Sequence, residues 1–208
     1  MRVRSKVADE ALVQRRQAHI VSTATHLLLQ QGFHKTSVRE IAAAADLTMG
    51  GLYLYISRKE DLLYLIAEAI MSELGESLDD IQKQVSPADT LRVAAERFFR
   101  AVDRMRREIK LLYRESPSLL PEHLAALQES ELRERDIFAG LIRDGIREGS
   151  FKDIDADLAA HNIIMLAHMW ALKGWALKNS FSLDDYIDLQ LGFILFHLRT
   201  EPQVASRT

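Results

Sequence analysis

The chain has 208 residues, 48% hydrophobic and 27% charged, which fits a globular chain of one or two domains. It has no cysteine, so a disulfide framework and a thiolate metal site are both excluded. The net charge of -3 is split unevenly, with nine Lys/Arg against five Asp/Glu in residues 1–60 and eighteen against twenty-five in the rest, as suits a nucleic-acid reader joined to a body that avoids nucleic acid.

Arg2, Arg4 and Lys6 precede any periodic pattern and read as a solvated tail able to add phosphate or minor-groove contacts. The first helix is expected over 9–31, with Ile20, Ala24, Leu27, Leu28 and Gln31 on one face and Gly32 as its stop. Two short helices follow within TSVREIAAAADLTMGGLYLYISRK, residues 36–59. Val38, Ile41, Ala42 and Ala45 recur at helical spacing, Thr36 or Ser37 caps the start, and Asp46 and Leu47 make a turn. Thr48 caps a second helix running to about Leu54. The small residues 42–45 let the two helices approach closely, as a helix-turn-helix requires. Met49, Gly50 and Gly51 leave the second helix an almost bare N-terminal face. That bareness lets a backbone come close to base edges and phosphate; the alternative reading is a helical hairpin whose glycines only permit tight packing.

Ser57 is expected to open a long helix to about Ile81, with Glu60 completing a capping box. Some 24 residues would span roughly 36 Å. Pro87 starts a helix that the spacing of Leu91, Phe98, Phe99, Val102, Met105, Ile109 and Leu112 carries unbroken to about Glu115. Ser116-Pro117-Ser118 breaks the chain, and Pro121 opens a helix ended by Gly149 and Ser150. The last two helices, over 155–179 and from a cap at Ser182 with Asp185, are apolar around most of their circumference. A chain of this size has too few other helices to cover both, so a second copy is expected to supply the missing surface. No strand pattern and no repeat is present, and the fold class is all-α with about nine helices.

The run T-x-V-R-E-I-A-x-A-A-x-L-T-x-G-x-L-Y-x-Y-I-x-x-K-E-x-L-L resembles the N-terminal DNA-binding domain of TetR-family transcriptional regulators, over about residues 20–63. The resemblance implies a DNA-binding domain at 9–56, a connecting helix at 57–85 and a ligand-binding and dimerisation domain at 86–200. It places Ser37, Arg39, Thr48, Met49, Gly50, Gly51, Tyr53, Leu54, Tyr55 and Lys59 at positions that usually face DNA. Met49 and Leu54 depart from the family pattern by replacing polar contacts with apolar ones, so no relative's base preference carries over.

The family also implies a four-helix dimer interface from the last two helices, here Ile164, Trp170, Trp175, Leu191, Ile194, Leu195 and Leu198. Its C-terminal bundles bind small inducers, and the expected pocket is Phe98, Phe99, Val102, Met105, Leu112, Tyr113, Met165, His168 and Met169. LLYRESPSLLPE, IREGSF and LAHMWALKGWAL resemble members that sense acyl-CoA thioesters. That narrower likeness would set Arg104, Arg106, Arg107, Lys110 or Arg114 against CoA phosphates, where the alternative is an exposed basic helix face.

The sequence therefore reads as a homodimeric regulator, most often a repressor in this family, that binds a palindromic double-stranded DNA operator and responds to a small-molecule effector. One rival keeps the fold but senses lipophilic drugs or cations; another is a helical dimeric scaffold without DNA binding. No phosphate loop, nucleophile elbow or HExxH motif is present, and no cofactor or enzymatic role is expected. His161 and His168 share a helix face, but a zinc site needs three or four ligands and none is assigned. No apolar run reaches the roughly 18 residues of a membrane span. The basic start lacks the apolar core of a secretory signal, and the expected location is the cytoplasm.

Overall fold

A computed structural model describes residues 7–177 and 179–200; the basic tail expected at Arg2, Arg4 and Lys6 lies outside the described residues. Among these the chain forms nine α-helices: α1 (Glu10–Gln31), α2 (Val38–Ala44), α3 (Met49–Leu52), α4 (Glu60–Leu78), α5 (Pro87–Arg104), α6 (Arg106–Glu115), α7 (Pro121–Arg147), α8 (Ala156–Lys173) and α9 (Leu183–Leu198). Two compact units result. One runs up to Glu73 and takes in Met105–Ser130; the other holds Leu74–Arg104 and the chain from Glu131 onward.

In the first unit every turn has a local chemical cause. Asp9 caps α1 by accepting from the Leu12 amide at 3.0 Å. Gly32 ends α1 at φ 85, a backbone state that costs other residues. Ser37 and Glu40 form a reciprocal capping box on α2. Asp46 takes φ 54 in the turn, which Asp tolerates better than most residues. Thr48 then caps α3 by accepting from the Gly51 amide at 3.0 Å. Ile20 and Ala24 of α1, Ile41, Ala42 and Ala45 of the second helix and its end, Leu52 of α3, and Leu62 and Leu65 of α4 close a shared core.

Three expectations are corrected. The carboxylate that caps the entry to α4 is Asp61, which accepts from the amides of Ser57 and Arg58 at 2.8 and 3.1 Å. Glu60 instead lies in the first helical turn. α4 stops at Leu78, because Asp79 and Asp80 form a turn in which Asp80 has φ 52. At 19 residues it is about 28 Å long rather than 36. The helix expected from Pro87 to Glu115 is broken at Met105 (φ -95, ψ 12), which carries no side-chain cap. The buried positions on either side of the break keep nearly the same helical phase, so periodicity alone could not show it.

In the second unit α5 buries Leu91, Ala94, Ala95, Phe98, Phe99 and Val102 and packs against α8 and α9. Trp170 donates its indole N–H to Asp103 at 2.8 Å, and the Tyr186 hydroxyl donates to the Leu166 carbonyl at 2.9 Å. Ser182 and Asp185 form the capping box that opens α9. After α7, Gly149 takes φ 74, and the chain pairs briefly with the end of α9 through an antiparallel bridge between Phe151 and Arg199. No described helix is long and apolar enough to cross a membrane.

Candidate nucleic-acid interface and effector site

α3 is only one turn long, and the two α2–α3 caps set its direction. Thr48, Met49 and Gly50 are exposed at its start, and Leu54 is exposed just past its end, with Met49 at 44% and Leu54 at 42%. Ser37 and Arg39 are exposed at the start of α2, while Gly51 and Tyr53 are half-buried. These eight residues share one unit whose interior is apolar, so the exposed positions are presented by a stable base. A Cβ on Gly51 would lie 3.3 Å from the Thr48 hydroxyl oxygen that caps the helix, which gives that glycine a packing reason. A Cβ on Gly50 would meet only the same hydroxyl oxygen, at an ordinary contact distance of 3.9 Å, so packing does not require that glycine.

Tyr55 and Lys59 are placed differently from the expectation. Tyr55 is 7% exposed and belongs to the core cluster that holds Ile20, Leu52 and Leu62; its carbonyl accepts from Gln17 Nε2 at 3.0 Å. Lys59 is half-buried, donates from Nζ to the Phe33 carbonyl, and lies 4.2 Å from the centre of the Phe33 ring. Burial pushes its ammonium below the usual lysine range.

The basic residues proposed for phosphate are also divided. Arg104, Arg106, Arg107 and Lys110 are exposed. Arg114 is engaged within the first unit, donating to the Leu28 carbonyl at 3.3 Å and to the buried Glu115 carboxylate at 2.7 Å.

The expected pocket does not come together within either unit. Met105, Leu112 and Tyr113 belong to the first unit, with Tyr113 44% exposed. Phe98, Phe99 and Val102 are fully buried in the second unit, where they fill the core rather than line a space. Met165 and Met169 face outward, into an apolar groove of about 440 Å³ on α8 and α9 that is also lined by Asn162, Phe193 and His197. A second groove of about 470 Å³ sets Arg92, Lys152 and Arg199 around Leu195 and Phe196. His168 is 4% exposed, and burial pushes its imidazole down to about 4.

The expected interface is corrected in its residues. Ile164, Trp170, Leu191, Leu195 and Leu198 are buried within the single chain, where α8 and α9 pack against α5. Trp175 stands out at 63% exposure, and Ile194 is half-buried. The uncovered stripe runs one helix face over: Leu158 (59%) and Met169 (40%) on α8, and Leu189 (58%), Phe193 (63%) and Phe196 (76%) on α9.

Two buried polar residues carry no motif that marks them in the sequence. His123 of α7 is 3% exposed and stacks on Tyr64 of α4 at 4.2 Å and 17°. Burial lowers its pKa and raises that of Tyr64 to about 12. Glu134 is 3% exposed, and burial, reinforced by Glu131, pushes its carboxyl up to about 8. The signal for Glu134 was register: Leu127, Ser130, Glu134, Phe138 and Ile142 recur at helical spacing along α7 and all are buried.

Comparison with known proteins agrees with this geometry. Residues 20–65 match the family model for bacterial regulatory proteins of the tetR family, and residues 84–172 match the tetracyclin repressor-like C-terminal domain. The transcriptional regulator HbdR of Aromatoleum sp. (strain CIB) is 30% identical over 187 residues, spanning 89% of this chain and 82% of HbdR. The chain belongs to the TetR family of transcriptional regulators. Among TetR-fold structures, AibR in complex with isovaleryl coenzyme A and operator DNA has a TM-score of 0.72 at 25% identity, covering 86% of this chain and 97% of AibR. FadR from Bacillus subtilis in complex with stearoyl-CoA has a TM-score of 0.72 at 20% identity, covering 86% and 98%, and shows likeness of fold. This TetR-family chain is thus a helix-turn-helix regulator with a C-terminal helical bundle.

Proposed function

We propose that this regulator represses transcription as a homodimer on a palindromic operator and is released by an acyl-CoA thioester. The observation that carries the DNA reading is the exposed opening of α3, where Thr48, Met49, Gly50 and Leu54 stand clear of a closed core. Ser37, Arg39 and Tyr53 flank that opening, while Tyr55 is buried in the core and Lys59 is engaged by Phe33. A recognition helix presents its N-terminal residues to base edges, and exposed Leu54 fits a thymine methyl.

The dimer reading rests on the uncovered Leu158, Met169, Leu189, Phe193 and Phe196 stripe, which a second copy would bury about a two-fold axis. The effector class rests on AibR, found with isovaleryl coenzyme A and operator DNA, together with the exposed basic residues Arg104, Arg106, Arg107 and Lys110. Release requires the thioester to favour, by several kcal/mol, a state that holds the recognition helices off operator spacing. The protein acts by binding rather than catalysis, which its family supports, and works in the cytoplasm with the DNA.

The test is a mobility-shift assay on DNA upstream of its own gene with a panel of acyl-CoA thioesters, free CoA and free acids. Specific binding abolished by a thioester alone supports the proposal. Binding that no thioester disturbs removes the effector class, and failure to select any specific DNA removes the regulator.

A further inference from the structure

The buried stripe of α7 in the second unit is otherwise apolar or small, yet it begins with a carboxyl. Glu134 lies there, 3% exposed, with Phe138 one turn on and Ile142 one turn beyond. Its Oε2 is out of contact with solvent and has no hydrogen-bond partner. Phe138 meets Phe98 of α5 edge-to-face at 5.5 Å, and Phe98 in turn stacks against the His168 ring of α8 at 6.3 Å and 19°. Three helices thus bring a carboxyl, two phenyl rings and an imidazole to one interior region. A leucine at 134 would pack there without leaving an oxygen unmatched. The polar side chain serves no bond within the chain that accounts for Oε2, so the fold leaves one hydrogen-bonding position open inside apolar surroundings.

The charge state narrows what could take it. Burial keeps the Glu134 carboxyl largely protonated at neutral pH and the His168 ring uncharged. A protonated carboxyl offers an O–H and a carbonyl oxygen, which match a neutral hydroxyl or keto group. A ligand carboxylate would be desolvated beside them without a counter-charge.

We propose that Glu134 is a specificity-determining residue that hydrogen-bonds an uncharged hydroxyl or keto oxygen on the acyl chain of the effector, so that the regulator prefers oxygenated thioesters over plain ones. This rests on the acyl-CoA reading above. Glu134 would read the oxygen of an acyl chain that enters beside the Phe98–Phe138 pair. Sites that hydrogen-bond a ligand hydroxyl reject the analogue lacking it far more strongly than apolar pockets sense a missing methylene.

The test uses the full-length protein and matched pairs of saturated, 3-hydroxy and 3-oxo thioesters of equal length from four to twelve carbons, titrated calorimetrically. Wild type is expected to bind the oxygenated member at least tenfold more tightly at its best length. Glu134→Leu should erase that ratio while still binding the saturated thioester, and Glu134→Gln, which keeps a donor and an acceptor, should restore part of it. Infrared difference spectra supply a readout that a packing role would not move: the protonated-carboxyl band of wild type, absent in Glu134→Gln, should shift on binding the oxygenated member only. Thioester binding with the same ratio in wild type and Glu134→Leu overturns the Glu134 role and leaves the effector class intact. No thioester binding, or binding of the lipophilic cation tetraphenylphosphonium that depends on Glu134, overturns both.

Discussion

Lys59 reaches back across the start of α4 to the loop after α1, where its Nζ donates to the Phe33 carbonyl and sits 4.2 Å from the centre of the Phe33 ring. One side chain therefore ties the exit of α3 to the exit of α1, and the ammonium that the family resemblance turns towards DNA is already engaged. Arg39, on the start of α2, is exposed.

These two cations should separate in a salt series. Arg39→Ala is expected to reduce the slope of log binding against log salt by about one counterion, as loss of a phosphate contact does. Lys59→Ala is expected to lower the melting temperature and weaken operator binding with the slope unchanged, since it removes a cation–π contact of about 0.5–1 kcal/mol at an exposed site, more where desolvated. The measurement is fluorescence anisotropy on operator DNA across salt, with thermal melts of the free protein. A slope lowered by Lys59→Ala would place that residue against a phosphate after all.

Gly145 is required by close approach. A Cβ there would fall 2.2 Å from Cδ2 of Phe151 and 2.9 Å from its Cγ. Cγ is the root of a ring that is 2% exposed, so the clash cannot be relieved by swinging a distant tip. Gly145→Ala should destabilise the protein by about 1–3 kcal/mol, as overpacking does, although alanine normally favours a helix over glycine by roughly 1 kcal/mol. Urea denaturation decides between the two terms. A stabilised variant would mean that the Phe151–Arg199 bridge yields at little cost.

The pH dependence of stability should have two arms of opposite sign. Glu134 rises from 4.5 to about 8 in the fold, so the unfolded chain releases its proton first; stability from this group is complete below about 4.5 and is lost as pH rises through about 8. His168 falls from 6.5 to about 4, so its contribution is complete above about 6.5 and is lost as pH falls through about 4. Glu134→Gln should therefore flatten the alkaline arm and leave the acidic one. Urea melts of both proteins at pH 4, 6 and 9 measure this. An unchanged alkaline decline in the variant would assign it to another group.

How much of this was readable beforehand depends on whether the signal is local. Ser37, Thr48, Ser182 and Asp185 cap the helices that the sequence assigns them, because a cap is decided within four residues. The break at Met105 carries no glycine or proline and keeps the apolar period, so tertiary packing decides it. Tyr55 and Lys59 read as polar neighbours of a bare helix, yet their partners lie 38 and 26 residues away in sequence, at Gln17 and Phe33. Along α9 apolar residues occur on all sides, so composition shows that two faces are covered without saying which one meets α5.

That last ambiguity has a direct test. Leu195 is 4% exposed and Phe196, the next residue, 76%. The helix turns one into the core and the other away, and Phe193 at 63% shares the outer side. Phe193→Asp with Phe196→Asp should give a folded monomer by light scattering, with helical content and thermal transition retained. Leu195→Ala should instead cost about 2–5 kcal/mol of stability, as buried leucine truncations do. Because a dimer engages two half-sites at once, the monomer should lose on the order of 100-fold or more in operator affinity. A double variant that remains dimeric would place the association surface away from this stripe, and one that is monomeric yet binds operator like wild type would remove the need for two recognition helices.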